Sequence, residues 1–313
     1  MEEYRGACPA LRDSALAVVV SFLLFYFGFG EFIFVFPLLL LASRYKKKVS
    51  ALSILVEAVL VVSYSFFTRV DGLLGFLLMC FELFIPLSLL AAGATWLATE
   101  KRGIGTRLFI ALLPSLVFFA IIYVFLEQEP ALLGEYLEIT ENAFEALLSP
   151  FINVGAMGEE FWSVFCTTIL LIVVSMIIPV VLCFVCVTCF SYESVLHSRE
   201  SDWEERVARL ELDGRAIWIF LALWLLVLLS RFISIPTIAG IALFNVTLSF
   251  TVVYAIQGFS VLYYNLCKRR RFKSYTLFLI LLAIALLAPG VNIIVVLGLP
   301  LVGVLETFFE LRK

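Results

Sequence analysis

Two glutamates, Glu57 and Glu82, stand well inside long apolar runs of this chain, and a third, Glu31, sits at the glycine-rich break Gly28-Phe-Gly30. A carboxylate at mid-membrane costs about 2.5–3.5 kcal/mol on insertion scales, so each requires a partner or a water-filled cavity. The chemistry open to such groups is reversible binding of a proton, a cation or a polar solute. Asn245, Gln257 and Asn292 add uncharged donors and acceptors inside later apolar runs. Gathered round one cavity they would hold a ligand; singly, they tie helices together for about 0.6 kcal/mol each. Arg231 at the outer end of its run and Glu306 near the inner end of the last are placed to snorkel or pair at an interface.

Other chemistry lacks its residues. The sequence contains no G-x-x-x-x-G-K-S/T, G-x-S-x-G, H-E-x-x-H or C-x-x-C-H, so it has no P-loop phosphate cradle and none of the common nucleophile or metal motifs. The single histidine, His197, argues against haem or histidine-bound zinc. Cys183, Cys186 and Cys189 share one helix face without an evident fourth ligand, and read as small apolar packing residues. The expectation is a protein that is not an enzyme and carries no cofactor or metal.

The elements that position these residues follow from composition. Of 313 residues 63% are apolar and 15% charged, against about 25% charged in an ordinary soluble domain. Ten spans of about 20 residues would use most of the apolar content. Apolar runs lie at 13–28, 32–43, 49–67, 73–98, 108–126, 161–190, 216–233, 238–266, 275–288 and 291–308. The fold class is therefore all-α, a polytopic transmembrane helical bundle of nine or ten spans forming a single membrane domain over 1–313. No polar stretch is long enough to fold a separate core. Spans 1–126 precede an acidic segment, 127–160, and spans 161–313 follow it. A net charge of −3 argues against a nucleic-acid partner.

Charge distribution sets the expected orientation. If 13–43 folds as a tight re-entrant pair, 20 of the 22 basic residues fall on one side, leaving Arg69 and Arg231 on the other. A single broken span gives 18 to 4. The positive-inside rule favours the pair, with both termini cytoplasmic in a bacterial inner membrane. The 127–160 segment carries eight glutamates with apolar residues at helical spacing, which predicts an acidic amphipathic helix on the outer surface, either a lid or docking face or simply a connector. Residues 197–215 predict a short cytoplasmic helix with charges spaced three and four apart. Ala17-x-x-x-Ser21 and Ala91-Ala-Gly93-Ala94 permit close helix approach.

The stretch Ala255-Ile-Gln257-Gly258-Phe-Ser-Val and the terminal Gly298-Leu-Pro-Leu-Val-Gly303-Val-Leu-Glu306-Thr-Phe-Phe-Glu-Leu-Arg312 resemble the YybS-like family of uncharacterised bacterial membrane proteins. The acidic position is Glu306 here, where the family pattern has Asp. The N-terminal spans of that family look similar to substrate-binding subunits of energy-coupling-factor transporters. The resemblance implies binding of a small-molecule solute, in company with a membrane coupler and ATPases. The function expected is an integral solute-binding or transport subunit acting with other membrane protein subunits in the lipid bilayer. The alternative is a non-catalytic scaffold subunit of a larger membrane assembly, with its buried carboxylates paired across subunits.

Overall fold

The computed structural model describes residues 2–28, 30, 32–69, 72–128, 130–151, 158–196, 207–233, 235–268, 281–282, 284–285 and 288–312. All its elements are helices: α1 (Glu2–Tyr26), α2 (Phe36–Arg44), α3 (Lys47–Arg69), α4 (Gly72–Ala98), α5 (Ile104–Gln128), α6 (Pro130–Leu148), α7 (Glu159–Leu196), α8 (Ala216–Leu229), α9 (Thr237–Lys268) and α10 (Val291–Phe309). Seven of them (α1, α3, α4, α5, α7, α9 and α10) are long and apolar enough to cross a membrane.

Two expected spans are shorter than expected. The run 32–43 becomes the nine-residue α2, because Gly28 takes a positive φ of 71° and the chain turns through 32–35 before Pro37 opens the helix. The run 216–233 becomes the fourteen-residue α8, whose last residues unwind into a turn ahead of Pro236. Most of the expected span 275–288, His197, Glu31 and residues 197–206 of the helix expected at 197–215 lie outside the described residues; of the rest of that expected helix only Val207 and Ala208 are helical.

The described chain divides into two compact units, one made of Met1–Lys101 and Arg107–Cys189, the other of Arg102–Thr106 and Phe190–Lys313. In the first, α3 packs on α1, α2 and α4. Half of α4's apolar window is buried, more than in any other span, so α4 is the central helix. Its small-residue patch serves this internal packing: a Cβ on Gly93 would stand 2.9 Å from Val35 Cγ1 and 3.5 Å from Leu39 Cδ2.

One end of this unit is basic. Tyr45 donates to Asp13 Oδ2 at 2.8 Å and Arg44 lies 3.9 Å from the same oxygen, so the chain returns to the level at which α1 entered. The hydrogen bond to Asp13, aided by partial desolvation, holds the Tyr45 phenol above its ordinary pKa. Lys47 pairs with Glu100, bringing the start of α3 to the end of α4. Arg107 is 5% exposed. It donates to Trp96 O at 3.1 Å and lays its guanidinium 3.8 Å from the Trp96 ring centroid. At the other end α6 docks by stacking Tyr136 on Phe81 at 4.8 Å, while Ser163 donates to Glu141 at 2.8 Å. Burial pushes the Tyr136 phenol up.

In the second unit, α9 and α10 cross at two glycines. A Cβ on Gly258 would run into the Leu299 carbonyl and stand 2.9 Å from Gly303 N; one on Gly303 would run into the Tyr254 carbonyl. The sequence offsets of this crossing and of the Asn265–Leu311 O bond (3.4 Å) agree, so the two helices run parallel. Below the crossing Glu306, 6% exposed, pairs with Arg312 at 3.2 Å. Arg312 donates also to Ala208 O at 3.0 Å and Leu210 O at 2.6 Å. Burial draws the Arg312 guanidinium below its ordinary pKa, against the pull of Glu306.

Candidate functional site

The site with the most unusual chemistry lies where α2 folds back beside α1 and α3. From Asp13 the chain rises fifteen residues to Gly28, about 22 Å at 1.5 Å per residue, then turns and descends to Tyr45. This is a re-entrant hairpin, the arrangement that the charge count favoured over one broken span. Its turn has irregular backbone, and within a membrane such backbone persists only if protein groups satisfy it.

Two hydroxyls do so, and a third ties the first turn of α2. Ser21 of α1 donates to Phe34 O at 2.8 Å, Ser50 of α3 to Leu38 O at 2.6 Å, and Thr188 of α7 to Phe32 O at 2.7 Å. Phe184 packs tilted against Phe32, with ring centroids 4.4 Å apart, beside the last of these. The need for these donors explains why Ser21, Ser50 and Thr188 are buried although most serines and threonines in these helices bond back to their own turn, as Thr68, Thr168 and Thr251 do. Sequence reasoning passed over Ser50 and Thr188, and saw in Ser21 only a small residue. A hydroxyl in an apolar run carries no mark of which carbonyl it serves.

Glu57 faces this turn. It is 0% exposed, and neither carboxyl oxygen has a hydrogen-bond partner. Ten residues separate it from Lys47 and twelve from Arg69, which puts it about 15 Å and 18 Å from the two ends of α3, at the middle of the span. Ser21 is its polar neighbour across the α1–α3 contact, but the Ser21 proton goes to Phe34 O. An ionised carboxylate without a donor costs several kcal/mol in such surroundings, so the geometry accommodates the neutral acid. Two turns further along the same face of α3, the buried Ser65 hydroxyl also lacks a partner.

The other expected site residues do not join it. Glu82 is exposed on α4, and the register set by Lys47–Glu100 places it opposite residue 65, some eight residues along from the level of Glu57. Asn245 is buried and donates to Ile241 O of its own helix at 3.0 Å. Asn292 caps the start of α10, where its Oδ1 accepts from Gly290 N at 3.1 Å and Ile293 N at 2.8 Å. Gln257, 2% exposed, keeps an unpartnered Oε1 beside the glycine crossing of the second unit. Arg231 is exposed in the turn after α8, and Glu306 belongs to the Arg312 clamp. Cys186 and Cys189 are buried and Cys183 is exposed. Among the described residues no three His, Cys, Asp or Glu side chains are grouped to hold a metal.

No curated protein and no solved structure matches the chain. A family does, over residues 14–300, which take in the hairpin, Glu57 and Gly258. The chain belongs to the family described as Predicted membrane protein (DUF2232).

Proposed function

We propose that this polytopic membrane protein is a transport subunit whose ionisable centre is Glu57, acting with partner proteins in a bacterial cytoplasmic membrane. The carrying observation is a mid-span carboxyl, fully buried and without a hydrogen-bond donor, set against a re-entrant turn. Membrane proteins keep such groups where something binds or crosses, because a structural carboxylate would be paired. Re-entrant and broken helices likewise gather at the binding sites of transporters. In this reading the basic end, with Arg44 and Lys46 to Lys48, faces the cytoplasm.

The test is ion flux in proteoliposomes. The full chain is reconstituted with an internal pH dye, and a potassium diffusion potential is imposed with valinomycin. The expected outcome is dye acidification above that of empty vesicles, lost in Glu57→Gln. Equal traces for the wild type, Glu57→Gln and empty vesicles would refute the reading.

A further inference from the structure

We propose that the ligand of the Glu57 site is a proton, and that the Ser21 hydroxyl couples its binding to the re-entrant turn. The inference rests on the proposed function only for the importance of Glu57, and holds or fails separately from transport.

The donor set excludes the other small ligands. Hard cations such as calcium take six to eight oxygens, and magnesium demands six in octahedral geometry. Beside Glu57's own two oxygens stand the Ser21 hydroxyl, whose proton is bound to Phe34 O, and one turn back on α3 the Ser53 hydroxyl, whose proton is bound to Val49 O. The buried Ser88 hydroxyl of α4 lies within a turn of its level, and the set is still short of a cation's shell. The elements packed on α3 bring few charges: Arg12, Asp13 and Tyr26 on α1, Arg44 on α2, Cys80 and Glu82 on α4. On α3 itself Lys47, Lys48, Tyr64 and Arg69 are seven or more residues away. The Glu57 oxygens bond to none of them. A carboxyl in that position has one thing to exchange, its own proton.

The consequence lies in Ser21. A serine hydroxyl has one proton to give. With Glu57 neutral, it ties the fully buried Phe34 backbone to α1. When Glu57 ionises, the acid O–H bond breaks and its proton passes to water, while Ser21 keeps its own proton and rotates. A hydrogen bond to a carboxylate is roughly twice as strong as one to a neutral carbonyl, so the hydroxyl turns to Glu57 and Phe34 O is released. The turn is then untied at one of its two hydroxyl anchors.

The full chain in lipid nanodiscs tests this by two readouts across a pH titration: the infrared band of a protonated carboxyl, and hydrogen–deuterium exchange of the 27–36 segment corrected for intrinsic pH dependence. In the wild type the acid band should titrate, and protection of 27–36 should fall about tenfold as it does, the equivalent of one lost hydrogen bond. Glu57→Gln should lack the band and keep the turn protected throughout. Ser21→Ala should leave the turn loose at every pH, and Ser21→Thr, which keeps the hydroxyl, should restore the wild-type step. Sodium or magnesium at fixed pH should leave the band unmoved. A band displaced by either cation, no Glu57-dependent band at any pH, or an unchanged step in Glu57→Gln would each overturn the proposal. Loss of dye acidification with the step intact would refute transport and leave the proton site standing.

Discussion

Substituting Ala for Gly258 on α9 and for Gly298 on α10 makes the same chemical change with opposite consequences. At Gly258 the added methyl meets the Leu299 carbonyl well inside contact distance and stands 2.9 Å from Gly303 N. Both obstacles are backbone, so no side chain can rotate away and the two helices must part by about an ångström. Such a gap forfeits a quarter to a half of each dispersion well along the crossing. Overpacking of this kind costs about 1–3 kcal/mol, offset by up to about 1 kcal/mol of helix propensity. A net loss of about 1–2 kcal/mol is expected, a factor of about 5–30 in the folded-to-unfolded ratio. At Gly298 nothing lies within 4 Å, so only the propensity gain remains and the variant should be as stable as the wild type or slightly more so. Reversible unfolding in mixed micelles at increasing SDS mole fraction, followed by tryptophan fluorescence, compares them directly. If Gly258→Ala and Gly298→Ala unfold at the same SDS fraction, the glycine crossing is not the contact described.

Arg312→Ala should cost about 3–5 kcal/mol, because it leaves Glu306 buried and unpaired and removes the donors to Ala208 O and Leu210 O. Arg312→Ala combined with Glu306→Leu should recover part of that loss in the same unfolding assay. Arg107→Lys keeps the charge but forfeits the planar stack on Trp96, and should lower stability by about 1 kcal/mol and shift tryptophan emission. An unchanged spectrum would count against the stacked geometry.

The helices were legible because apolar runs of span length have few alternatives in a membrane, and the folded-back 13–43 segment was legible because a double glycine coincided with a charge count that needed a return. What the sequence could not convey was which polar residues meet. Glu57 and Glu82 look alike as isolated acids in apolar runs, yet one faces the hairpin and the other the surface; the difference is a rotation about two helix axes that only packing fixes. Asn292 passed for a residue between helices because its role depends on where α10 begins, two residues earlier at Gly290. Gln257-Gly258 and Gly303 stood out as motif residues, and the structure supplies the reason for the glycines: each leaves room for the other's backbone.

The three anchors of the re-entrant hairpin are also a timetable for biogenesis. Ser21 is made before the turn, Ser50 arrives with the next span, and Thr188 lies 156 residues beyond Phe32. At about 5–20 residues per second, synthesis takes roughly 8–30 s to supply that last donor. Until then Phe32 O waits without its partner, so a segment among the first to leave the ribosome is among the last to be completed. Insertion machinery that shelters the hairpin over that interval would protect it, and truncation before Thr188 would leave the N-terminal spans inserted but unfinished.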